Sequence, residues 1–292
     1  MPGTTIGLLH PGEMGAAIGL CLAERGHTVL WVPHGRSRAT AARAEAAGLT
    51  DAGPLADLVG RSEVILSICP PQAARAVAES VTRSPGGFGG RYVDANAIAP
   101  RTSRALAAVV TSPGATFTDG GIVGPPPSPG SPGSPRLYLS GGDAAAVAAL
   151  FEGTPVRAEL VDGGIGAASA VKMAYAAWTK GTAALLLSAR ALARAEGVEG
   201  TVLGEWGLSQ PGLARRTEAA AQAAAAKGWR WDAEMTEIAM AMADAGLPDG
   251  FHQAAAQVFR CAPAADPASL AAYAPGDVVE LVLQALTGDH LA

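Results

Sequence analysis

The chain has 292 residues, room for one large or two ordinary domains, each with its own hydrophobic core. Nearly half of these residues are apolar and 16% are charged, a balance that excludes disorder over most of the length. The formal net charge of -5 argues against nucleic acid or an anionic membrane as partner, since both demand a positive surface.

The opening segment lacks a basic leader region, and His10 and Glu13 interrupt its apolar run, so no secretory signal is predicted there. Cys21, Cys69 and Cys261 form no CxxC pair and no metal-ligand spacing. They read as reduced core residues of a cytoplasmic protein without a metal site. The most apolar later stretch, residues 181–193, carries Arg190 and is too short to span a bilayer.

In chain order, residues 5–9, 28–32, 63–68, 91–94, 116–119 and 136–140 predict strands, being short and rich in β-branched residues. Alanine-rich segments at 12–25, 37–47, 72–81 and 101–110 predict the helices between them. This alternation predicts an α/β fold of Rossmann type over residues 1–161, with a mostly parallel sheet covered by helices on both faces. The proline- and glycine-rich run 125–135 excludes helix and sheet ladder. It is either a plain surface connector or a lid at the carboxyl ends of the strands.

From Gly164 to Gly197 there is no proline, and Val171, Tyr175, Trp178, Leu185, Ala189 and Leu192 recur at helical spacing, with Thr182 the polar member. About 30 helical residues reach about 45 Å, more than one small domain buries. The prediction is a long interdomain helix that opens an all-α domain over 162–292 and packs against a second subunit of a homodimer. Further helices are predicted at 213–227, 231–245 and 250–260.

The first predicted strand leads through His10-Pro11-Gly12-Glu13-Met14-Gly15 into the first helix. Amides at a helix start point at a phosphate, and the helix dipole favours an anion there. Gly12 would let the backbone approach a pyrophosphate, and Gly15 would let the helix pack closely on the strand. His10 stands where the first glycine of the usual G-x-G-x-x-G falls, so a merely structural turn is the alternative. After the second strand, no Asp or Glu occurs between Val32 and Arg43, where an NAD-specific site places an acid on the ribose. His34, Arg36, Ser37 and Arg38 stand there instead, suited to a 2′-phosphate, and NADP(H) is the predicted cofactor.

With these motifs, and with SICPPQAA (67–74), YVDANAIAP (92–100), TDGGIVGPP (118–126) and GAASAVKMAYAAWTKG (166–181), the chain resembles the β-hydroxyacid dehydrogenase and 6-phosphogluconate dehydrogenase superfamily. The 3-hydroxyisobutyrate dehydrogenases belong to that superfamily, and the likeness extends over the whole chain. Residues 227–255 resemble a little-characterised branch with a distinctive C-terminal domain. The resemblance implies an oxidoreductase, often dimeric, that exchanges hydride between a nicotinamide cofactor and a small hydroxy or carbonyl compound. It implies cofactor contacts from Cys69, Pro70, Pro71 and Asn96, a substrate loop at Val123 and Gly124, and a catalytic Lys172.

A desolvated lysine has its pKa lowered toward neutrality and serves as acid or base. On its residues alone, Lys172 is equally an ordinary exposed helix lysine. Ser169, Tyr175 and Thr179 share its stripe at helical spacing. Tyr175 is predicted to orient the substrate or relay the proton, with Ser169 and Thr179 beside it. Trp231 is a candidate roof for the substrate and as readily a core tryptophan. His252 reads as a capping or packing residue.

The departures from the superfamily are Val123 in place of a serine, Ala176 in place of an asparagine and Asn96-Ala97 in place of a serine or threonine. They remove usual contacts to a substrate carboxylate or hydroxyl. An imine reductase-like enzyme is the second reading, although such enzymes commonly carry Asp or Tyr where Lys172 stands. A non-catalytic NADP(H)-binding sensor is the third.

Overall fold

The computed structural model describes residues 3–110, 114–128, 133–263 and 275–287. The chain divides into two compact units, Met1–Met173 and Ala174–Ala292.

In the first unit the strands are β1 (Thr5–Leu9), β2 (Thr28–Trp31), β3 (Thr50–Asp51), β4 (Val64–Ser67), β5 (Arg91–Asp94), β6 (Thr116–Val123), β7 (Arg136–Ser140) and β8 (Arg157–Leu160). They form one sheet in the order β3-β2-β1-β4-β5-β6-β7-β8. Neighbours run parallel except β6 and β7, which are antiparallel. The helices are α1 (Glu13–Glu24), α2 (Arg38–Ala46), α3 (Leu55–Arg61), α4 (Ala74–Thr82, after a 3-10 turn at Pro71–Ala73), α5 (Pro100–Val109) and α6 (Ala144–Ala149).

Side chains alternate across a strand, and here both faces are buried. Ile6, Leu8, Val29, Val64, Leu66 and Val93 belong to one core. Leu9, Leu30, Ile65 and Tyr92, from the same strands, belong to the other. The chain leaves β1 toward β2 and later returns to β4 on its other side. The turns that follow β1 and β4 therefore diverge, and a doubly wound sheet binds ligands at such a switch point.

Several short elements were not predicted: β3, α3, α6 and β8 are two to seven residues long, too brief for a periodic signal. The predicted fifth strand stopped at Asp119, whereas β6 runs on through Gly120, Gly121 and Ile122 to Val123. Glycine weakens a strand interior unless a close approach requires it. A Cβ on Gly120 would lie 2.8 Å from the Asp94 carbonyl oxygen, and one on Gly121 would lie 2.8 Å from that of Ala168. Both glycines therefore serve packing. Of the 125–135 run, residues 129–132 lie outside the described residues.

Helix α7 (Ala167–Ala195) begins in the first unit and ends in the second, which also holds α8 (Glu199–Ser209), α9 (Leu213–Asp244), α10 (Gly250–Cys261) and α11 (Pro275–Thr287). The helices predicted at 213–227 and 231–245 are one continuous α9. The sequence reading broke it at Gly228, but a Cβ there would sit 3.2 Å from the Phe259 carbonyl oxygen, so this glycine lets α10 pack close. Ala220, Ala221, Ala224 and Ala225 give α9 a small-residue face, and Met235 and Ile238 are fully buried farther along. Ion pairs Lys180–Glu234, Arg190–Glu199 and Arg194–Glu280 tie α7 to α9, α8 and α11. Among the described residues no helix is long and apolar enough to cross a membrane.

Candidate functional site

The turn after β1 separates two kinds of glycine. His10 has φ 68 and is the only non-glycine residue with positive φ among the described residues. That conformation costs an L-residue about 1–2 kcal/mol. The Gly12 amide donates to the His10 carbonyl oxygen at 2.8 Å and closes the turn. A Cβ on Gly15 would sit 2.6 Å from that same oxygen, so the fold itself demands Gly15. A Cβ on Gly12 would meet nothing within 4 Å, and φ there is -68, so the fold makes no such demand of Gly12. Its smallness leaves room for a ligand. No side chain caps α1, so the amides of its first turn face outward from a helix N-terminus. Pro11 is buried, Glu13 is exposed, and Met14 packs against the core.

Beside this turn lie two cavities that share Val32 and Leu55. One, of about 240 Å³, is walled mostly by aliphatic groups, including Ala73 and Val77, with His10 and Arg36 as its charged or titratable members. The other, of about 610 Å³, is lined by His34, Gly53 and Asp51 among others. The Nε of Arg36 and the Nδ1 of His10 are buried and have no hydrogen-bond partner among the described residues. Burial, with Arg36 as the second cause, brings the His10 imidazole down to about 4, so it is neutral at neutral pH. Burial, aided by Asp94, pushes the Cys69 thiol up to about 12, which leaves it protonated and inert. The Ser37 hydroxyl accepts from the Thr40 amide at 3.2 Å and caps α2. Ser37 and His34 are exposed. Asp51 escaped the sequence reading because β3 is only two residues long. Its carboxylate accepts from the Gly53 amide at 2.7 Å.

At the carboxyl ends of β4 and β5, Asn96 is buried and fully engaged. Its Oδ1 accepts from the Cys69 amide at 2.5 Å, and its Nδ2 donates to Asp94 at 2.7 Å and to Ser67 at 3.2 Å. Asn96 thereby fixes the Cys69-Pro70-Pro71 segment, of which Pro71 is buried and opens the 3-10 turn. The Asn96 backbone amide also donates to Asp94, at 3.1 Å, so side chain and amide alike are committed within the fold.

The start of α7 is held by Asp119, fully buried on β6. It accepts from the hydroxyls of Ser103 (2.7 Å), Ser140 (3.1 Å) and Ser169 (2.5 Å). It also accepts from the amides of Gly166 (3.0 Å) and Ser169 (2.9 Å). A carboxylate at a helix N-terminus satisfies otherwise orphaned amides and complements the dipole. This anchor was not singled out from sequence. It fixes Lys172 five residues beyond Ala167, where Nζ donates to the Ile122 carbonyl oxygen at 2.7 Å. Burial lowers the Lys172 ammonium from 10.5 to about 8. A Cβ on Gly121 would lie 2.9 Å from the Cβ of Lys172, so the glycine admits the lysine to the strand.

The predicted substrate residues divide. The Ser169 hydroxyl is buried and spent on Asp119, and the Val123 side chain is buried in the sheet, so neither presents a side chain to a ligand. Gly124, exposed with φ 116, follows Val123 at the strand end. In the second unit Tyr175 and Thr179 are exposed, and the Thr179 hydroxyl donates to the Tyr175 carbonyl oxygen at 3.1 Å. Trp231 packs edge-on against Phe259 at 5.0 Å, with Lys180 Nζ 5.4 Å above its ring. His252 is buried beside Phe251.

Residues 5–151 match the family described as the NAD binding domain of 6-phosphogluconate dehydrogenase. Residues 193–261 match a second family, described as a domain of unknown function, DUF1932. No curated protein matched the chain. Among solved structures, a conserved hypothetical protein from Sinorhizobium meliloti 1021 is similar at 24% identity and TM-score 0.67, over 98% of this chain and 97% of that one. A Mycobacterium tuberculosis 3-hydroxyisobutyrate dehydrogenase, solved with L-serine, is 18% identical with TM-score 0.66, over 96% of this chain and 98% of that one. A reductive aminase from Aspergillus terreus, solved with NADPH and ethyl levulinate, is 21% identical with TM-score 0.57, over 96% and 98%. These last likenesses concern the fold.

Proposed function

The chain belongs to the family of the NAD binding domain of 6-phosphogluconate dehydrogenase, and from that premise we propose that it is a cytoplasmic NADP(H)-dependent oxidoreductase acting on a small carbonyl or hydroxy compound. The observation that carries the reading is Lys172, held at the Ile122 carbonyl in the nucleotide-binding unit and brought to about 8 by burial.

The residues present fit the cofactor. The bare Gly12 turn and uncapped α1 suit a pyrophosphate. The aliphatic cavity walled by Val32, Leu55 and Val77 suits a flat adenine, with Arg36 able to pair a 2′-phosphate. When bound, the nicotinamide supplies or takes the hydride. Lys172 gives a proton to the substrate oxygen during reduction and removes it during oxidation. The Ile122 carbonyl holds the ammonium in place and cannot itself exchange a proton, so substrate replaces nothing that titrates. Tyr175 is proposed to orient the substrate, and the α7 stripe to pair two subunits.

A second reading is reduction of a C=N bond. It is favoured by Val123 and Ala176, both buried, at positions where carboxylate-binding polar groups are usual. Screening small keto acids, aldehydes and cyclic imines for NADPH consumption tests the proposal. Turnover of carbonyls supports the first reading and turnover of imines alone the second. Failure to bind either dinucleotide overturns both.

A further inference from the structure

His10 is the residue at this site that neither packing nor backbone chemistry explains. It occupies a left-handed conformation that glycine adopts freely. The chain nevertheless places a large imidazole there, in the wall of the 240 Å³ cavity and beside the Arg36 guanidinium. Both His10 Nδ1 and Arg36 Nε are buried without a hydrogen-bond partner among the described residues. Two polar groups crowded together and unsatisfied on one cavity wall are the arrangement an anion resolves.

We infer that His10 and Arg36 together hold the 2′-phosphate of the cofactor, His10 as a proton-accepting arm that becomes cationic only when that phosphate is in place. The inference rests on the NADP(H) reading above and adds to it a residue and a proton.

The charge balance is straightforward. Burial disfavours a charged imidazole at His10, and the Arg36 guanidinium, which repels a second cation, works in the same direction. The Cys69 thiol on the adjoining turn is uncharged, and Ser80 of α4 is neutral. Glu13, on the same turn as His10, is exposed. A phosphate dianion entering beside Arg36 reverses the local field, and the imidazole takes one proton from solvent. Cofactor binding is then coupled to proton uptake, and NADPH affinity falls as pH rises above about 4, the value of the imidazole without the phosphate.

Two substitutions keep the turn. His10→Gly suits the left-handed backbone, and His10→Asn keeps a polar side chain that tolerates it but cannot be protonated. Calorimetric titration of wild type with NADPH, in two buffers of different ionisation heat, is expected to show proton uptake, and with NADH none. Both variants are expected to lose the uptake and to bind NADPH about tenfold more weakly, with NADH affinity within about twofold of wild type. Thermal melting checks that each variant folds. If wild type binds NADPH without uptake, or if the variants bind it as wild type does, His10 has no such role while the NADP(H) reading stands. Equal losses for both cofactors move the contact to the pyrophosphate and overturn the 2′-phosphate assignment. If wild type binds neither cofactor, the underlying reading falls as well.

Discussion

Removing the Lys172 amine tests the proposed chemistry most directly. At about pH 7 an amine of pKa about 8 is neutral in about one molecule in eleven, whereas one at 10.5 is neutral in about one in three thousand. Burial thus multiplies the available base about 300-fold, which is the part of the rate a generic surface lysine would forgo. Lys172→Ala is expected to lower turnover by about 10² to 10⁴, the usual worth of a positioned acid or base, with NADPH affinity nearly unchanged. Lys172→Arg should rescue little, because a guanidinium does not release its proton near neutrality. The pH profile carries the sign. Oxidation needs the neutral amine and rises toward a plateau above about pH 8, while reduction needs the ammonium and declines above about pH 8. Initial rates followed through the absorbance of the reduced cofactor, in both directions across pH, measure all three. Near wild-type turnover in Lys172→Ala, or a profile unchanged by the substitution, refutes the reasoning. A further outcome separates chemistry from architecture: Lys172→Met should raise stability by about 0.5–2 kcal/mol, since it removes a buried cation whose partner among the described residues is a neutral carbonyl.

Other expectations follow from the same geometry. NADPH should bind at least about tenfold more tightly than NADH in fluorescence titration, and Arg36→Ala should abolish the preference, about 1.4 kcal/mol being within one charge-assisted contact. Gly15→Ala should cost about 1–3 kcal/mol in thermal or denaturant unfolding, because its Cβ would meet backbone rather than a movable side chain. Gly12→Ala should leave the melting temperature nearly unchanged and weaken cofactor binding, since a Cβ there meets nothing of the fold within 4 Å. The stripe on α7 leaves Trp178 69%, Leu185 54% and Leu192 63% exposed, so the protein is expected to be a dimer by light scattering at micromolar concentration. Trp178→Glu with Leu185→Glu should give a monomer, and a monomeric wild type would rule out the pairing.

What was legible in the sequence was local. The first strand, its glycine turn and α1 were readable because their signals lie within twenty residues and repeat at fixed periods. The long α7 was readable from a stripe of large residues and the absence of proline. The predicted break in α9 shows where such reasoning stops. A glycine in a helix reads as a weakness until its neighbour across the packing is known, and here that neighbour is the Phe259 carbonyl. The Asp119 anchor was hidden for a stronger version of the same reason. Its five donors come from Ser103, Ser140, Gly166 and Ser169, which no spacing rule connects.

The two glycines of the first turn make the point in reverse. Both match one fingerprint, yet only the surroundings reveal that the fold demands Gly15 and makes no such demand of Gly12. His10 goes further, since the fingerprint marks it as a defect. In place, it is the residue that puts a titratable ring against Arg36. A departure from a motif thus has two readings, decay or a different task, and what decides between them is the cost of keeping it. A left-handed histidine costs about 1–2 kcal/mol that glycine in the same place would not. A cost of that size is retained where it is offset by binding. The melting temperature of His10→Gly therefore bears on function: a variant more stable than wild type and poorer in NADPH affinity would show stability given up for the cofactor.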